Sequence, residues 1–357
     1  MSELQNITLT QFRNFNHLQL AFSKKLIGIV GKNGSGKTNI LDAIYYLCYT
    51  KSYFQNKEIN NATFNTNGFR IDGSWILDSS TEKTVAVWKD GKKSVEHDGI
   101  PYEKVTEHIG KFNAIFIAPD DIAIINEGSD LRRKFYDALL SMNDNQYLNH
   151  LLQYQKILQQ KNAYLKKSNP QTISHDLLDV FDQQLAKSGD YLIQKRLEAQ
   201  QKIPEWVQYY YTEISKNKES VAISYRPSNA TAPLLEIIYK SRIKDIELKR
   251  STTGPHAEDF IFHLNNNPIK TFGSQGQKKS FLISLKLAQL KWLQDLGKKP
   301  ILLLDDIFEK LDEKRLEYLF ELLQQFPLAQ VFMTHTNAHD LEKTISKFYD
   351  EIEFIKL

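Results

Sequence analysis

Eight consecutive residues near the start of the chain have the types and spacing of a phosphate-binding loop. Residues 31–38 are Gly-Lys-Asn-Gly-Ser-Gly-Lys-Thr, between an apolar run at residues 26–30 and an apolar-periodic segment that begins at Asn39. A strand, a glycine-rich turn and a helix in this order point successive backbone N–H groups, and the positive end of the helix, at one place. The stretch therefore predicts a site for the phosphates of a nucleotide. A solvated strand-to-helix turn is the alternative.

The positions within this loop predict separate tasks. The glycines let the backbone curl tightly, the second lysine reaches the β- and γ-phosphates, and the threonine gives its hydroxyl to Mg²⁺. We expect the whole loop to contact the nucleotide, namely Gly31, Lys32, Asn33, Gly34, Ser35, Gly36, Lys37 and Thr38.

Two adjacent carboxylates in the second half of the chain supply what such a loop lacks. Residues 301–304 are an apolar run, followed by Asp305 and Asp306. A buried strand would carry these acids at its C-terminal tip, where ligands bind in open α/β sheets. We expect Asp305 to hold Mg²⁺ together with Thr38, and Asp306 to orient the attacking water. The alternative for Asp306 is a structural helix N-cap.

Composition sets broad limits. A chain of 357 residues exceeds the usual size of one core, so two domains or a large insertion are expected. The net charge of +3 is too small to indicate a polyanion partner by itself. Cys48 is the only cysteine, which excludes internal disulfides. No signal-peptide pattern or membrane-length apolar run occurs, and a cytoplasmic protein without membrane contact is predicted.

The composition along the chain predicts three segments. Residues 1–122 are strand-rich and contain the phosphate loop, residues 123–216 have apolar residues at helical spacing, and residues 217–357 return to the first lobe. Arg132 and Arg133 form a basic cluster near the first boundary. They are candidate contacts for a polyanion, with buried structural ion pairs as the alternative. No transition-metal site is predicted, because no histidine has a matched ligand set.

A series of short motifs in the second half resembles that of ABC-type ATPases. Ser274, Gly276 and Gln277 lie at the start of an amphipathic helix, followed by the acid pair, Asp312 and His335. These resemble the signature, Walker B, D-loop and switch histidine of that superfamily. The resemblance implies an α/β, SMC-like P-loop ATPase head with a mostly helical insertion, binding ATP and Mg²⁺. It implies a head-to-tail dimer in which the signature and D-loop residues contact nucleotide, with Asp306 and His335 catalytic.

Further motifs resemble the RecF family, which is related to the SMC proteins. They are the Phe-Arg-Asn-Phe run at residues 12–15 and segments at residues 116–133, 160–166 and 253–259. Alone, Arg13 and Asn14 would be a surface hairpin turn; the resemblance places them beside the nucleotide. It also implies an ATP-dependent homodimer that binds double-stranded and gapped DNA in recombinational repair and replication, with slow hydrolysis as the off switch. Help in loading RecA, and RecR-like and RecO-like partners, would follow, with Arg132 and Arg133 as candidate DNA contacts.

Some residues depart from the family's pattern. Ala257 replaces an arginine, residues 51–55 lack two arginines, and Glu309 and Lys310 replace a Ser-Glu pair. Two alternatives stay open: the nucleotide-binding subunit of another ABC-type machine, and a clamp that binds ATP without hydrolysing it. A GTPase would need an Asn-Lys-x-Asp motif, and residues 217–220 lack its aspartate.

Overall fold

The computed structural model describes residues 2–77, 80–142, 144–169, 172–216 and 219–357. They form two compact units. The first contains the described residues of Met1–Asp121, Tyr210–Asn217 and Lys279–Leu357, and the second those of Ile122–Tyr209 and Lys218–Lys278. None of the helices in the described ranges is long and apolar enough to cross a membrane.

The strands in the described residues are numbered β1 to β14 in chain order. They are Ser2–Phe12, Phe15–Ala21, Leu26–Val30, Gly68–Leu77, Ser80–Lys89, Lys92–His97, Ile100–Pro101, Ala114–Ile117, Val221–Arg226, Asp259–Leu264, Asn267–Pro268, Ile301–Leu304, Gln330–His335 and Glu353–Lys356.

The α-helices in the described residues are numbered α1 to α12. They are Lys37–Tyr49, Ala123–Asn126, Ser129–Ser141, Asn145–Lys167, His175–Gln200, Ile203–Ser215, Leu234–Leu248, Ile269–Phe272, Gln275–Asp295, Ile307–Lys310, Glu313–Leu323 and Ala338–Ile345. Short 3₁₀ helices occur at Glu58–Asn61, Val105–His108, Pro119–Ile122 and Pro255–Ala257.

A five-stranded parallel sheet in the first unit has the order β14-β3-β13-β12-β8. Every residue of β3, β8 and β12 is buried, which explains why these strands are almost continuously apolar in sequence. In the register, His335 lies opposite Val30, and Leu304 lies opposite Met333. The carboxyl ends of β3, β12 and β13 therefore meet at one edge of the sheet.

A six-stranded antiparallel sheet, also in the first unit, has the order β2-β1-β4-β5-β6-β7. Asp90 and Gly91 form the predicted turn between β5 and β6, both with positive φ, as a two-residue hairpin turn requires. Arg13 and Asn14 form the turn between β1 and β2.

The second unit combines helices α3, α4, α5 and α7 with a three-stranded antiparallel sheet of order β11-β10-β9. This differs from the predicted segment boundaries, because residues 219–278 belong to the helical unit. The physical reason is that β10 packs on α3: the rings of Tyr136 and Phe260 stack at 3.6 Å, and Arg132 pairs with Asp259. Contacts over such sequence separations leave no periodic signal.

Candidate nucleotide site

The predicted phosphate loop connects the buried strand β3 to helix α1. Gly34 and Gly36 have φ values of 83° and 105°, in the region that favours glycine. A Cβ at Gly36 would lie 2.5 Å from the ring of Phe15, so a larger residue cannot fit there without a shift. The sequence therefore needs glycine at position 36 both for backbone conformation and for close approach.

Polar groups of this loop suit an anion. Helix α1 begins without a side-chain cap, which leaves its first N–H groups without that partner. The hydroxyl of Ser35 is buried and has no hydrogen-bond partner among the described residues. The Lys37 ammonium donates to the carbonyl oxygens of Gly31 and Lys32, at 2.8 and 3.1 Å. These donors fit the phosphates that the sequence predicts.

Asp305 joins the second half of the chain to this loop within the first unit. Thr38 Oγ1 lies 2.9 Å from Asp305 Oδ1 and 3.0 Å from Oδ2. Thr334 Oγ1 lies 2.9 Å from Asp305 Oδ1 and accepts a hydrogen bond from the backbone N–H of Asp306. A hydroxyl and a carboxylate at this distance are hard oxygen ligands of the kind that Mg²⁺ prefers.

The environment of Asp305 changes its acidity. Burial, with a smaller contribution from the neighbouring Asp306, raises the pKa of this carboxyl to about 6, although the hydroxyls of Thr334 and Thr38 and the charge of Lys37 oppose the shift. A divalent cation beside Asp305 would favour the ionised form. The raised pKa means that positive charge only partly compensates the ionised Asp305 carboxylate, and a divalent cation would supply the rest.

Asp306 and His335 lie near the phosphate loop, and neither side chain caps a helix. Asp306 has a φ of 44° and precedes α10 without making a side-chain cap, so the N-cap alternative is not what the structure has. His335 Nδ1 accepts a hydrogen bond from the N–H of Asn337 at 2.9 Å, which assigns the ring proton to Nε2. The carbonyl of His335 accepts from the N–H of Gly31, so this residue adjoins the phosphate loop.

The two residues of the turn between β1 and β2 that were predicted to contact the nucleotide have different partners. The Asn14 amide donates to the Ser35 carbonyl at 3.2 Å and accepts from the Asn39 side chain at 2.7 Å, so it supports the loop directly. The Arg13 guanidinium instead pairs with the buried Asp42 at 2.6 Å and contacts Ser52. The structure thus brings Asn14 to the phosphate loop and Arg13 to helix α1.

The signature-like residues lie in the second unit, at the start of α9. Gln277 Oε1 accepts from the N–H of Ser274 at 2.7 Å, and Ser274 Oγ accepts from the N–H of Gln277 at 3.3 Å. This reciprocal pair is a capping box, and it fixes an exposed serine at the positive end of a long helix. Gly276 lies in the first turn between them.

Asp312 has a structural role at the start of α11. Asp312 caps α11 by accepting from the N–H of Arg315, and it also pairs with the Arg315 guanidinium. The side chains of Glu309 and Lys310 lie outside the described part of the chain, and so do residues 217 and 218 of the incomplete GTPase motif.

Sequence comparison places these features in a known family. Residues 3–352 match the RecF/RecN/SMC N-terminal domain. The DNA replication and repair protein RecF of Cytophaga hutchinsonii is 40% identical over 334 residues, which are 93% of this chain and 88% of that protein. That of Flavobacterium johnsoniae is 37% identical over 99% of both chains. The chain belongs to the RecF family.

Solved structures agree with this RecF assignment. A structure of the recombination mediator protein RecF-ATPrS in the RecFOR pathway has a TM-score of 0.88 at 31% identity, covering 100% of this chain and 96% of that chain. The RecF-ATP structure of that mediator has a TM-score of 0.87 at 32% identity, covering 95% and 93%. An Smc head bound to a ScpA domain has a TM-score of 0.54 at 14% identity, covering 99% and 94%, and shows the fold alone. The predicted SMC-like ATPase head fold is confirmed.

Arg132 and Arg133, the candidate DNA contacts of this RecF-family chain, have protein partners within the second unit. Arg132 Nε and Nη2 lie 2.8 and 3.0 Å from the two Asp259 oxygens, and Nη1 donates to the Glu127 carbonyl. Arg133 Nη1 donates to Ser129 and to the Glu258 carbonyl, both at 2.6 Å. Both guanidinium groups are at least four-fifths buried, so the structural ion-pair alternative is supported.

Several polar residues of the site were not predicted. Thr334 connects Asp305 to the backbone of Asp306. Asp42 accepts hydrogen bonds from Arg13, from Ser52 and from the N–H of Tyr53. Thr334 could have been found, because it is a polar residue near the end of a buried strand next to the one that carries the acid pair. Asp42 gave no such signal, since a single acid in an otherwise apolar helix is common.

Proposed function

We propose that this RecF-family chain is an ATPase that binds ATP and Mg²⁺ at the phosphate loop. The observation that carries the proposal is the hydrogen bond between Thr38 and Asp305. It lies next to a loop whose Ser35 hydroxyl has no partner among the described residues and whose helix α1 begins without a side-chain cap. The RecF-ATP and RecF-ATPrS structures, about one-third identical to this chain, support the same ligand.

The residues of the site divide the chemistry between them. The loop N–H groups and Lys37 bind the phosphates, which requires Lys37 to exchange its two carbonyl partners for phosphate oxygens. Thr38 and Asp305 hold Mg²⁺, which neutralises phosphate charge when bound. Asp306 accepts a proton from the attacking water and orients it, while His335 donates from Nε2. Asp306 is one methylene shorter than glutamate, which favours slow hydrolysis suited to a switch.

ATP binding is proposed to join two copies of the chain head to tail. In this arrangement Ser274, Gly276 and Gln277 of one copy contact the nucleotide of the other, and Asp312 lies nearby. The support within the described residues is the capping box, which leaves the Ser274 hydroxyl exposed at the positive end of α9. Arg13 would have to leave Asp42 to reach the nucleotide, whereas Asn14 already contacts the loop.

The biological role proposed is that of an ATP-dependent DNA-binding protein in the cytoplasm. It would act on double-stranded and gapped DNA in repair and replication, with RecR-like and RecO-like partners, and would help to load RecA. The support comes from relatives described as DNA replication and repair protein RecF and from a mediator of the RecFOR pathway. Hydrolysis would then release the DNA.

Sedimentation velocity of the chain with and without ATP, and with and without a gapped duplex, tests this function. We expect a monomer without nucleotide, a dimer with ATP, and a larger species with ATP and DNA together. A Lys37→Met variant serves as the control for nucleotide dependence, and the rate of phosphate release distinguishes an ATPase from a non-hydrolysing clamp. A monomer at saturating ATP would overturn the proposed dimer.

A further inference from the structure

A groove lies between the two long helices of the second unit, α4 and α5. Its volume is about 340 Å³, and Gln153, Lys156, Ile157, Gln160, Gln184 and Lys187 line it. Ile157 is buried and forms the floor, while the three glutamines and two lysines are exposed. No carboxylate lines the groove, so its walls offer amide donors and positive charge to whatever enters.

The groove follows from the helical spacing of its residues. Gln153, Lys156 and Gln160 are three and four residues apart on α4, and Gln184 and Lys187 are three apart on α5, so each set shares one helix face. From Gln153 to Gln160 the helix rises about 10 Å, which is the advance of about three nucleotides of a strand.

The two lysines of the groove differ from other cations of the second unit. Within the described residues Lys156 and Lys187 form no ion pair, whereas Lys134 pairs with Asp130 and Lys195 with Glu198. The buried Lys161, one turn from Lys156, is held between Asp182 and Asp245. The groove therefore places unneutralised charge beside neutral amide donors, at exposed positions.

We propose that this groove binds the sugar-phosphate backbone of a nucleic acid strand. Lys156 and Lys187 contact phosphates from the two walls, and the glutamine amides donate to phosphate or sugar oxygens. Such contacts carry no sequence information, so the groove positions DNA of any sequence. The inference rests on the proposed DNA-binding function, and it assigns phosphate contacts to exposed lysines, whereas Arg132 and Arg133 are held by Asp259 and by the Glu258 carbonyl.

The test is a salt titration of DNA binding by the Lys156→Ala/Lys187→Ala double variant, with ATP present and a labelled gapped duplex as the probe. Loss of two phosphate contacts lowers the slope of log affinity against log salt by about 1.8. Between 50 and 200 mM salt the wild-type affinity should consequently fall about tenfold more than that of the variant. The Lys156→Arg/Lys187→Arg variant should restore the wild-type slope.

A matched control removes the same charge elsewhere. Lys89 and Lys92 are exposed, face each other across a hairpin turn in the first unit and form no ion pair within the described residues. The Lys89→Ala/Lys92→Ala variant should keep the wild-type slope. If the wild type binds DNA and the groove variant matches it, the groove takes another occupant, such as an acidic protein segment, and the inference is overturned. If the wild type binds no DNA, the proposed function fails as well.

Discussion

Thr38 and Asp305 are 267 residues apart in the sequence, and their side chains share a hydrogen bond of 2.9 Å. Thr38 is the second residue of α1, and Asp305 directly follows the buried strand β12. Two parallel strands that end at the same sheet edge bring them together, and Thr334 on the strand between holds the carboxylate from the other side. Oxygen ligands suited to Mg²⁺ are therefore in place through protein contacts alone.

Replacement of Asp306 by asparagine should separate binding from hydrolysis. Thr38 and Asp305 stay in place, so the Asp306→Asn variant should bind ATP and Mg²⁺ within about threefold of the wild type. The amide cannot accept the proton of the attacking water, so turnover should fall by about 10² or more. Phosphate-release kinetics and light scattering should show slow turnover and an accumulated ATP-bound dimer. Asp305→Asn, as the comparison, should instead weaken the dependence on Mg²⁺. Wild-type turnover in Asp306→Asn would assign water activation to another residue.

Replacement of Lys37 by methionine should remove nucleotide binding from a folded protein. The loop backbone stays, but the charge that compensates the phosphates is lost, which at about 1.5–3 kcal/mol per charged hydrogen bond weakens ATP binding at least tenfold. Equilibrium titration with ATP measures this loss. Lys57→Ala, at an exposed position outside the loop, is the control and should bind normally. Unchanged affinity in a folded Lys37→Met variant would refute the loop assignment.

The parts of the site that sequence predicts are those with local signals. The phosphate loop, its flanking strand and the acid pair each lie within a few residues of an apolar run, so chain order alone indicates their context. Strand register then brings Asp305 to Thr38, because β3 and β12, with β13 between them, end at the same edge of the parallel sheet. The shared sheet edge thus converts two local patterns into one site.

The parts that sequence misses depend on long-range pairing. Arg132 meets Asp259 across 127 residues, and nothing in the spacing of a basic cluster shows whether an acid will pair with it. Arg13 has a φ of 55° in the turn, and its guanidinium contacts Asp42. The conformation of the turn sets this contact, which the residue type alone does not indicate. The same limit applies to residues 219–278, whose strands complete the helical unit through packing of β10 on α3.

Replacement of Ser274 by arginine should prevent dimer formation and leave ATP binding by the monomer intact. The serine is exposed at the start of α9, so a long cation there obstructs the surface without disturbing a core. Light scattering with ATP measures the dimer, and equilibrium titration measures the nucleotide. A mixture of Ser274→Arg and Lys37→Met protomers should form at most one competent site per dimer. Normal dimerisation of Ser274→Arg would contradict a composite site.

Replacement of Arg132 by alanine should act on stability and not on DNA contact. The change leaves Asp259 without its bidentate partner, and breaking a largely buried pair costs about 3 kcal/mol. Lys134→Ala removes an exposed pair on the same helix and should cost less than about 1 kcal/mol. Chemical denaturation measures both. The salt slope of DNA binding at a temperature where Arg132→Ala is folded should equal that of the wild type, and a reduced slope would return this arginine to the DNA site.

The stability of the first unit should depend on pH through His108. This side chain is fully buried, and its Nε2 donates to the Leu47 carbonyl at 2.6 Å. Burial lowers the pKa of His108 from 6.5 to about 4, the nearby charges of His97 and Lys111 act in the same direction, and the bond to Leu47 opposes them. Above pH 6.5 the imidazole is neutral in both the folded and the unfolded chain, so the full stability is present.

Below pH 6.5 the unfolded chain takes up a proton at His108 that the folded chain accepts only near pH 4. The free energy of unfolding should therefore fall between these values, with about 3 kcal/mol attributable to this histidine. Urea denaturation from pH 7 to pH 4 measures the free energy of unfolding of the wild type and of His108→Asn. Because the variant lacks the contribution of this histidine, the difference in unfolding free energy between the two proteins should narrow as pH falls. His17→Asn, at an exposed position on β2, is the control and should keep the wild-type pH dependence. A constant gap between wild type and His108→Asn across the pH range would show that another buried group causes the acid sensitivity.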